Sequence, residues 1–181
     1  MALNKLFLVI LSFCVWTSSV MAQNVNDAAA VKKFITTKQF LRAGQAFFET
    51  APLNQLYTLR QYEPIWINGS QVSPFAAALK NMIATLSFKH GLVASDYWTA
   101  EHDAYMSGLN EKNALAFEFI STRAFIAFSH SLANGQIDPT FLDNDIRFKR
   151  RSFTDFNVLM KAVSATPGVM SDIIETLAPQ H

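Results

Sequence analysis

The longest apolar pattern in the chain lies between residues 115 and 135 and predicts a buried helix. Its large side chains recur at helical spacing along one broad side, at Leu115, Phe119, Phe125, Phe128 and Leu132. The opposite side is almost as apolar, so we expect other helices to surround this one. Polar residues interrupt the run too often for a membrane span, at Ser121, Thr122 and Ser129. Asn110 is the predicted N-cap, and Asn134-Gly135 predicts the C-terminal end.

The same periodicity predicts helices on both sides of this central one. They cover residues 28–50 (as one helix or two shorter ones), 53–62, 74–90, 96–108, 152–165 and 167–177. The proline-containing segment from Tyr62 to Ile67 predicts an extended stretch, and Asn68-Gly69 predicts a turn after it. We find no alternating pattern long enough to support a sheet. The sequence therefore predicts an all-α fold, a single irregular helical bundle around one central hydrophobic helix.

The first 22 residues have the three regions of a secretory signal peptide. Lys5 precedes the apolar run from Leu6 to Trp16, and small residues follow it up to Ala22. We expect cleavage between Ala22 and Gln23, which makes the mature chain an exported, secreted protein. An uncleaved membrane anchor is the alternative, but the apolar run is too short to span a bilayer easily.

Composition excludes several classes of chemistry. Removing 22 residues from 181 leaves 159, enough for one domain with a hydrophobic core. Cys14 leaves with the signal peptide, so we expect no disulfide, thiolate metal ligand or cysteine nucleophile. Lys5 is one of the 15 basic side chains, so the mature chain has 14 basic and 14 acidic ones. This balance argues against capture of nucleic acid or anionic membrane.

Candidate chemical groups are few, and each has a simpler structural explanation. His90, His102, His130 and His181 lack metal-ligand spacing, so we predict no metal or cofactor site. The adjacent residues Glu101, His102 and Asp103 predict a solvated face. Glu118 is a candidate buried acid, but the favoured interpretation is a carboxylate that is hydrogen-bonded or paired with a residue such as Arg123 or Lys112. The basic run at 147–151 is expected to be solvated or to pair with nearby aspartates rather than to bind phosphate.

Two tryptophans are the candidate contacts for a ligand. Trp66 and Trp98 lie beside predicted turns, and their amphipathic rings are of the kind that stack on sugars or on partner surfaces. Filling the core of the bundle is the simpler alternative for both rings. No nucleophile elbow and no glycine-rich phosphate loop occurs in the sequence. We therefore predict no catalytic residue.

Specific stretches resemble a known family. They are Tyr62-Glu63-Pro64-Ile65-Trp66, Ala78-Leu79, His90-Gly91-Leu92, Asp96-Tyr97, Ser121-Thr122 with Phe128 and Leu132, Gly135 with Ile137-Asp138-Pro139, and Leu177-Ala178-Pro179-Gln180-His181. In their spacing they are similar to the scaffold domain of the large periplasmic murein L,D-transpeptidases, from about Leu53 to His181. The resemblance implies a scaffold-like helical domain over residues 53–181, preceded by an N-terminal helical extension over residues 23–52. It also implies a periplasmic location and a peptidoglycan context.

The resemblance does not extend to catalysis. Members of that family continue into a peptidoglycan-binding module and a catalytic domain whose Ser/Thr-x-Gly-Cys stretch supplies the nucleophile, and this sequence contains no such stretch. We expect a non-catalytic module that binds peptidoglycan or a periplasmic wall-synthesis protein. The alternative is a truncated fragment of such an enzyme, which the DNA downstream of the His181 codon would distinguish. Hydrolase activity resting on Glu118 is the third alternative.

Overall fold

The longest helix, α5 (Ala114–Asn134), supplies twelve buried residues to the core. It belongs to a computed structural model that describes residues 27–37, 50–135 and 156–179. The helix confirms the one predicted over residues 115–135, and Gly135 follows it with a φ of 79°. Its N-cap is Asn113 rather than the predicted Asn110. Asn110 lies in the preceding turn, where its backbone N–H donates to Asn113 Oδ1 at 2.7 Å.

The other elements of the described chain are mostly helical, which confirms the all-α class. They are α1 (27–36), α2 (Thr50–Leu59), β1 (Ile67–Asn68), β2 (Gln71–Val72), α3 (Pro74–His90), α4 (Ala100–Ser107), α6 (Phe156–Ser164) and α7 (Met170–Glu175). Two 3-10 turns precede α4 and α7, at Ala94–Asp96 and Pro167–Val169. The strands pair as an antiparallel hairpin of two residues each, which is too short to produce an alternating pattern in the sequence.

Helix α5 packs against α2, α3, α4 and β1. Helices α6 and α7 pack on each other, α7 also packs on α3, and α6 also contacts α2. The two longest helices therefore organise the bundle together, because α3 lies between α5 and α7. None of the described helices is both long enough and apolar enough to cross a membrane.

The ends of α3 are set by local signals that the sequence shows. Ser73 Oγ accepts a hydrogen bond from the Phe75 N–H at 3.2 Å, and Pro74 occupies the first helical position. Gly91 ends the helix in a left-handed conformation, with a φ of 68°, and its N–H donates to the Ser87 carbonyl. The predicted helix over residues 74–90 is confirmed at both ends.

The region before α4 differs from the prediction. Tyr97 and Trp98 lie within the predicted range of 96–108 but precede α4, whose N-cap is Thr99. His102 is 5% exposed, so the predicted solvated face at residues 101–103 is wrong at its middle residue. The reason is local, because the imidazole folds back to cap the start of its own helix.

Several sequence predictions lie outside the described residues. These are the signal peptide with Cys14 and the Ala22–Gln23 cleavage site, the middle of the helical pattern at 38–49, and the basic run at 147–151. Residues 152–155 of the helix predicted over residues 152–165 also lie outside, and the rest of that helix corresponds to α6. On α2, Leu53 and Leu56 are buried, whereas Leu59 is 55% exposed.

Helix α1 is part of the core. Val31 and Ile35 are buried, and the Phe34 ring stacks on Phe119 of α5 with centroids 4.4 Å apart and planes at 19°. The backbone N–H of Gly69, at the tip of the hairpin, donates to Asp27 Oδ2 at 3.0 Å. Apolar, aromatic and polar contacts therefore all hold this helix, which was predicted as part of an N-terminal extension, against the rest of the fold.

Replacing Phe34 with alanine tests this packing. We expect Phe34→Ala to lower the free energy of unfolding by about 2 kcal/mol, because it removes a partly buried ring that stacks on Phe119. Urea denaturation of the full chain measures the change. Phe88→Ala is the matched control, since Phe88 is 92% exposed on α3 and its loss should change the free energy by less than about 0.5 kcal/mol. Equal effects of the two substitutions would contradict the packing described for α1.

Candidate functional site

A buried polar network joins α5 to α2 and to the extended segment after α2. Glu118 and Thr122 lie one turn apart on α5, so their side chains share one face of the helix. Both are completely buried. The chain leaves α2 through Gln61 and Tyr62, which adopt left-handed φ values of 56° and 66°. This uncommon reversal directs the following residues toward the Glu118 carboxylate.

The Glu118 carboxylate accepts four hydrogen bonds. Oε1 accepts from the Tyr57 hydroxyl at 2.5 Å and from the Ile65 N–H at 2.7 Å. Oε2 accepts from the Trp66 N–H at 2.8 Å and from the Ile67 N–H at 3.1 Å. One side chain thus satisfies three consecutive backbone amides, which would otherwise be buried without partners.

Thr122 completes the network. Its Oγ1 accepts from Trp66 Nε1 at 2.8 Å and lies 2.7 Å from the Tyr57 hydroxyl oxygen and 2.9 Å from the Glu118 backbone carbonyl. The Tyr57 proton goes to Glu118, so the Thr122 proton goes either to the Tyr57 oxygen or to that carbonyl. The indole N–H, the phenol and the carboxylate are all paired within the protein.

Burial and hydrogen bonding shift the pKa of Glu118 in opposite directions. Burial raises the pKa of the carboxyl more than the bonds from Tyr57 and the three amides lower it, and the pKa is raised to about 7. Burial, followed by the adjacent carboxylate, raises the pKa of Tyr57 well above its ordinary value of 10.0. Each carboxylate oxygen already accepts two donors, so a proton on either oxygen would displace one of them. The favoured interpretation of Glu118 as a hydrogen-bonded carboxylate is confirmed, and the partners described are neutral groups rather than Arg123 or Lys112.

A cleft of about 220 Å³ lies on another side of α5, opposite the turn that leads into α4. The wall from α5 consists of Ile120, Arg123, Ala124 and Ala127. The facing wall consists of Asp96, Tyr97, Thr99, Glu101 and His102. The cleft combines an apolar surface with side chains of both charges, as small-molecule sites do.

His102 connects the two walls of this cleft. Its Nδ1 accepts from the Thr99 N–H at 3.1 Å, and its Nε2 donates to the Ile120 carbonyl on α5 at 3.3 Å. The Trp98 ring lies against the imidazole with centroids 4.7 Å apart. Accepting a backbone N–H requires an unprotonated Nδ1, so the ring is neutral. Burial lowers the pKa of His102, in agreement with that geometry.

The two candidate tryptophans are both buried. Trp66 is 0% exposed, and its ring packs against Phe125 with centroids 5.5 Å apart. Trp98 is 9% exposed, and its Nε1 donates to Asp103 Oδ1 at 2.8 Å. These positions favour the alternative in which the rings fill the core, because neither offers a face on which a sugar could stack in this conformation.

Sequence reasoning missed the partners of both sites. Tyr57 was predicted only as part of the helix over residues 53–62, and His102 only as part of a solvated face. A signal for His102 exists in the spacing Thr99-x-x-His102, which resembles a capping box with an imidazole in place of glutamate. In the described ranges, no three His, Cys, Asp or Glu side chains come together in a group that could hold a metal ion.

Comparison with known proteins adds the family. A family model described as Scaffold domain matches residues 51–181. The chain belongs to this family. No curated protein and no solved structure matches it. The match begins at the second residue of α2, continues through α7 and includes both sites. It leaves α1 outside, although α1 packs in the same core.

Replacing Glu118 with glutamine tests whether its buried carboxylate stabilises the scaffold domain. The amide NH₂ would face two of the four donors, leaving them buried and unpaired, so we expect the free energy of unfolding to fall by roughly 3–5 kcal/mol. Glu111→Gln is the matched control, because Glu111 is exposed just before α5. Urea denaturation of both variants measures the difference, and a Glu118→Gln protein as stable as the control would exclude the role described.

The buried imidazole predicts a pH dependence. The folded pKa of His102 lies below its ordinary value of 6.5, so the unfolded chain binds the proton first as pH falls. The stability that neutral His102 contributes is therefore present above pH 6.5 and is lost progressively below it. In His102→Gln, which can keep the cap without titrating, we expect a shallower loss between pH 6.5 and 5. Urea denaturation at stepped pH measures the two slopes, and identical slopes would contradict the prediction.

Proposed function

We propose that this scaffold-domain chain is a non-catalytic periplasmic module that binds peptidoglycan or a wall-synthesis partner. The observation that carries the proposal is the buried network itself. Trp66 and Thr122, two of the residues that resemble the L,D-transpeptidase scaffold, are hydrogen-bonded to each other. The Trp66 backbone N–H also donates to the Glu118 carboxylate, and Thr122 Oγ1 lies within hydrogen-bond distance of the Tyr57 hydroxyl. The resemblance thus falls on residues that hold the fold, as expected of a scaffold.

The state of Glu118 supports a non-catalytic role. A general acid or base must reach a substrate proton directly or through one water molecule. Glu118 is completely buried, and both of its oxygens are occupied by protein donors. The geometry gives no support to the hydrolase alternative that rests on this residue.

The net charge and the N-terminal sequence support the proposed periplasmic location and peptidoglycan partner. The balance of acidic and basic residues disfavours polyanions such as nucleic acid, whereas peptidoglycan presents neutral sugars and short peptides. The segment from Lys5 to Ala22 has the pattern of an export signal, and the family resemblance implies the periplasm. Peptidoglycan is therefore the first partner to test.

Co-sedimentation with isolated sacculi tests the proposal. We expect the purified full chain to sediment with sacculi and to remain in solution with cellulose, an insoluble glycan that lacks peptides. Glu111→Gln should be retained as strongly as the wild-type chain. If Glu118→Gln unfolds the protein, its retention should fall. No retention of the wild-type chain would remove peptidoglycan as the ligand and leave a protein partner.

Chromatography of the supernatant after incubation tests the non-catalytic part. We expect no soluble peptidoglycan fragments beyond those from sacculi incubated without protein. Release that depends on the wild-type chain would contradict that part of the proposal.

A further inference from the structure

We propose that Asn68 is a site of spontaneous deamidation, and that Asp27 of α1 restrains the reaction. The inference does not depend on the function proposed above. Two Asn-Gly pairs occur in the chain, Asn68-Gly69 at the tip of the hairpin and Asn134-Gly135 at the end of α5. Glycine favours the reaction because it has no side chain to hinder attack by its backbone nitrogen. The surroundings of the two pairs differ, and they assign the reaction to Asn68.

The reaction needs only the chain and water. The Gly69 nitrogen loses its proton to hydroxide and attacks Cγ of Asn68, forming a new C–N bond. The side-chain nitrogen takes up a proton and leaves as ammonia, which closes a cyclic imide. Water then adds to one of the two imide carbonyls and opens the ring. The products are aspartate, or isoaspartate in which the main chain runs through the former side-chain carbon.

The hairpin presents Asn68 to water. Asn68 is exposed, and it pairs with Gln71 across a loop of two residues. Gly69 takes the first position of this loop with a φ of 63°, which only glycine adopts readily. Hydroxide and water therefore reach the reacting atoms from solvent.

The second Asn-Gly pair is tied into the end of its helix. Asn134 Nδ2 donates to the His130 carbonyl at 3.2 Å, so the nitrogen that would leave is already bonded. The Gly135 N–H donates to the Ser131 carbonyl at 2.7 Å and closes the last turn of α5. Attack by the Gly135 nitrogen would cost both bonds, and Asn134 is half-buried. We therefore expect Asn134 to react more slowly than Asn68.

Asp27 holds the proton that must leave. Its Oδ2 accepts a hydrogen bond from the Gly69 N–H at 3.0 Å. A carboxylate beside this nitrogen also disfavours the negative charge that develops there when the proton departs. Asp27 is the first residue of α1, which is packed on α5 through the stack of Phe34 on Phe119. The restraint therefore comes from a helix outside the residues that match the family model.

Deamidation would act back on this contact. Either product adds a negative charge at residue 68, directly before the Gly69 N–H that Asp27 binds, and like charges repel. Isoaspartate also lengthens the main chain next to a loop of only two residues, which disturbs the pairing of the hairpin. The neighbouring Ile67 N–H donates to Glu118, so the change lies one residue from the buried network. We expect the modified hairpin to hold α1 less firmly.

Peptide mass spectrometry of the full chain in mildly alkaline buffer tests the proposal. The mass gain from replacing –NH₂ by –OH is followed with time in the peptides that contain Asn68 and Asn134. We expect conversion of Asn68 in the wild type, and roughly tenfold faster conversion in Asp27→Ala, because a bond to a charged acceptor is lost. Asp172→Ala is the matched control, since Asp172 is an exposed aspartate in the first turn of α7. Conversion of Asn134 is the internal reference and should be the same in all three proteins.

The outcomes distinguish the site from its restraint. No conversion of Asn68, or conversion of Asn134 ahead of Asn68 in the wild type, overturns the site. Conversion of Asn68 that is equal or slower in Asp27→Ala overturns the restraint, and a slower rate would mean that the carboxylate acts as a base. If Asp27→Ala fails to fold by circular dichroism, Asp27→Asn, which keeps the shape and loses the charge, decides by the same comparison.

Anion exchange separates the modified chain for the last test, because each product carries one more negative charge. We expect its urea midpoint to lie below that of the unmodified chain. Asn68→Gln, which keeps an amide but cannot close the five-membered imide, should show neither the mass gain at this position nor the second anion-exchange peak. Equal midpoints of the two separated fractions would overturn the effect on α1.

Discussion

The fold depends on one buried carboxylate. Glu118 accepts from the backbone amides of Ile65, Trp66 and Ile67 and from the Tyr57 hydroxyl, so one side chain fixes α2, the extended segment and α5 together. An ionised group in an apolar interior is costly unless every acceptor position is satisfied, and here all four are. The arrangement specifies the conformation of the segment, because three amides can meet one carboxylate only in that path of the chain.

Local signals in the sequence predicted the helices better than the sites. Ser73, Pro74 and Gly91 mark the ends of α3 through contacts within a few residues, so the helix could be read from the sequence alone. The network joins Glu118 to residues more than fifty positions away, and no local pattern encodes that pairing. Trp66 shows the limit most clearly: an amphipathic ring beside a turn could meet a sugar, and only the fold shows that its N–H meets Thr122.

The residues that match the family model and the residues that pack in one core do not have the same bounds. The scaffold-domain match covers residues 51–181, yet Val31, Phe34 and Ile35 of α1 pack against the same core. The apolar surface of Phe119 that α1 covers would otherwise face water, which is unfavourable for a small domain. In this chain the scaffold is therefore completed by a helix that precedes the matched residues. Membership also leaves function open, because a scaffold fold can present different sites on its surface.

The two sites on α5 can be separated by the geometry of the helix. At 100° per residue, Ala127 lies nine residues and roughly 180° from Glu118, and Arg123 lies five residues and roughly 140° from it. One face of the helix is thus committed to a closed network that holds the fold, while another face lines an open cleft. A substitution in the cleft leaves the carboxylate in place, whereas a substitution at the carboxylate removes bonds that hold the fold.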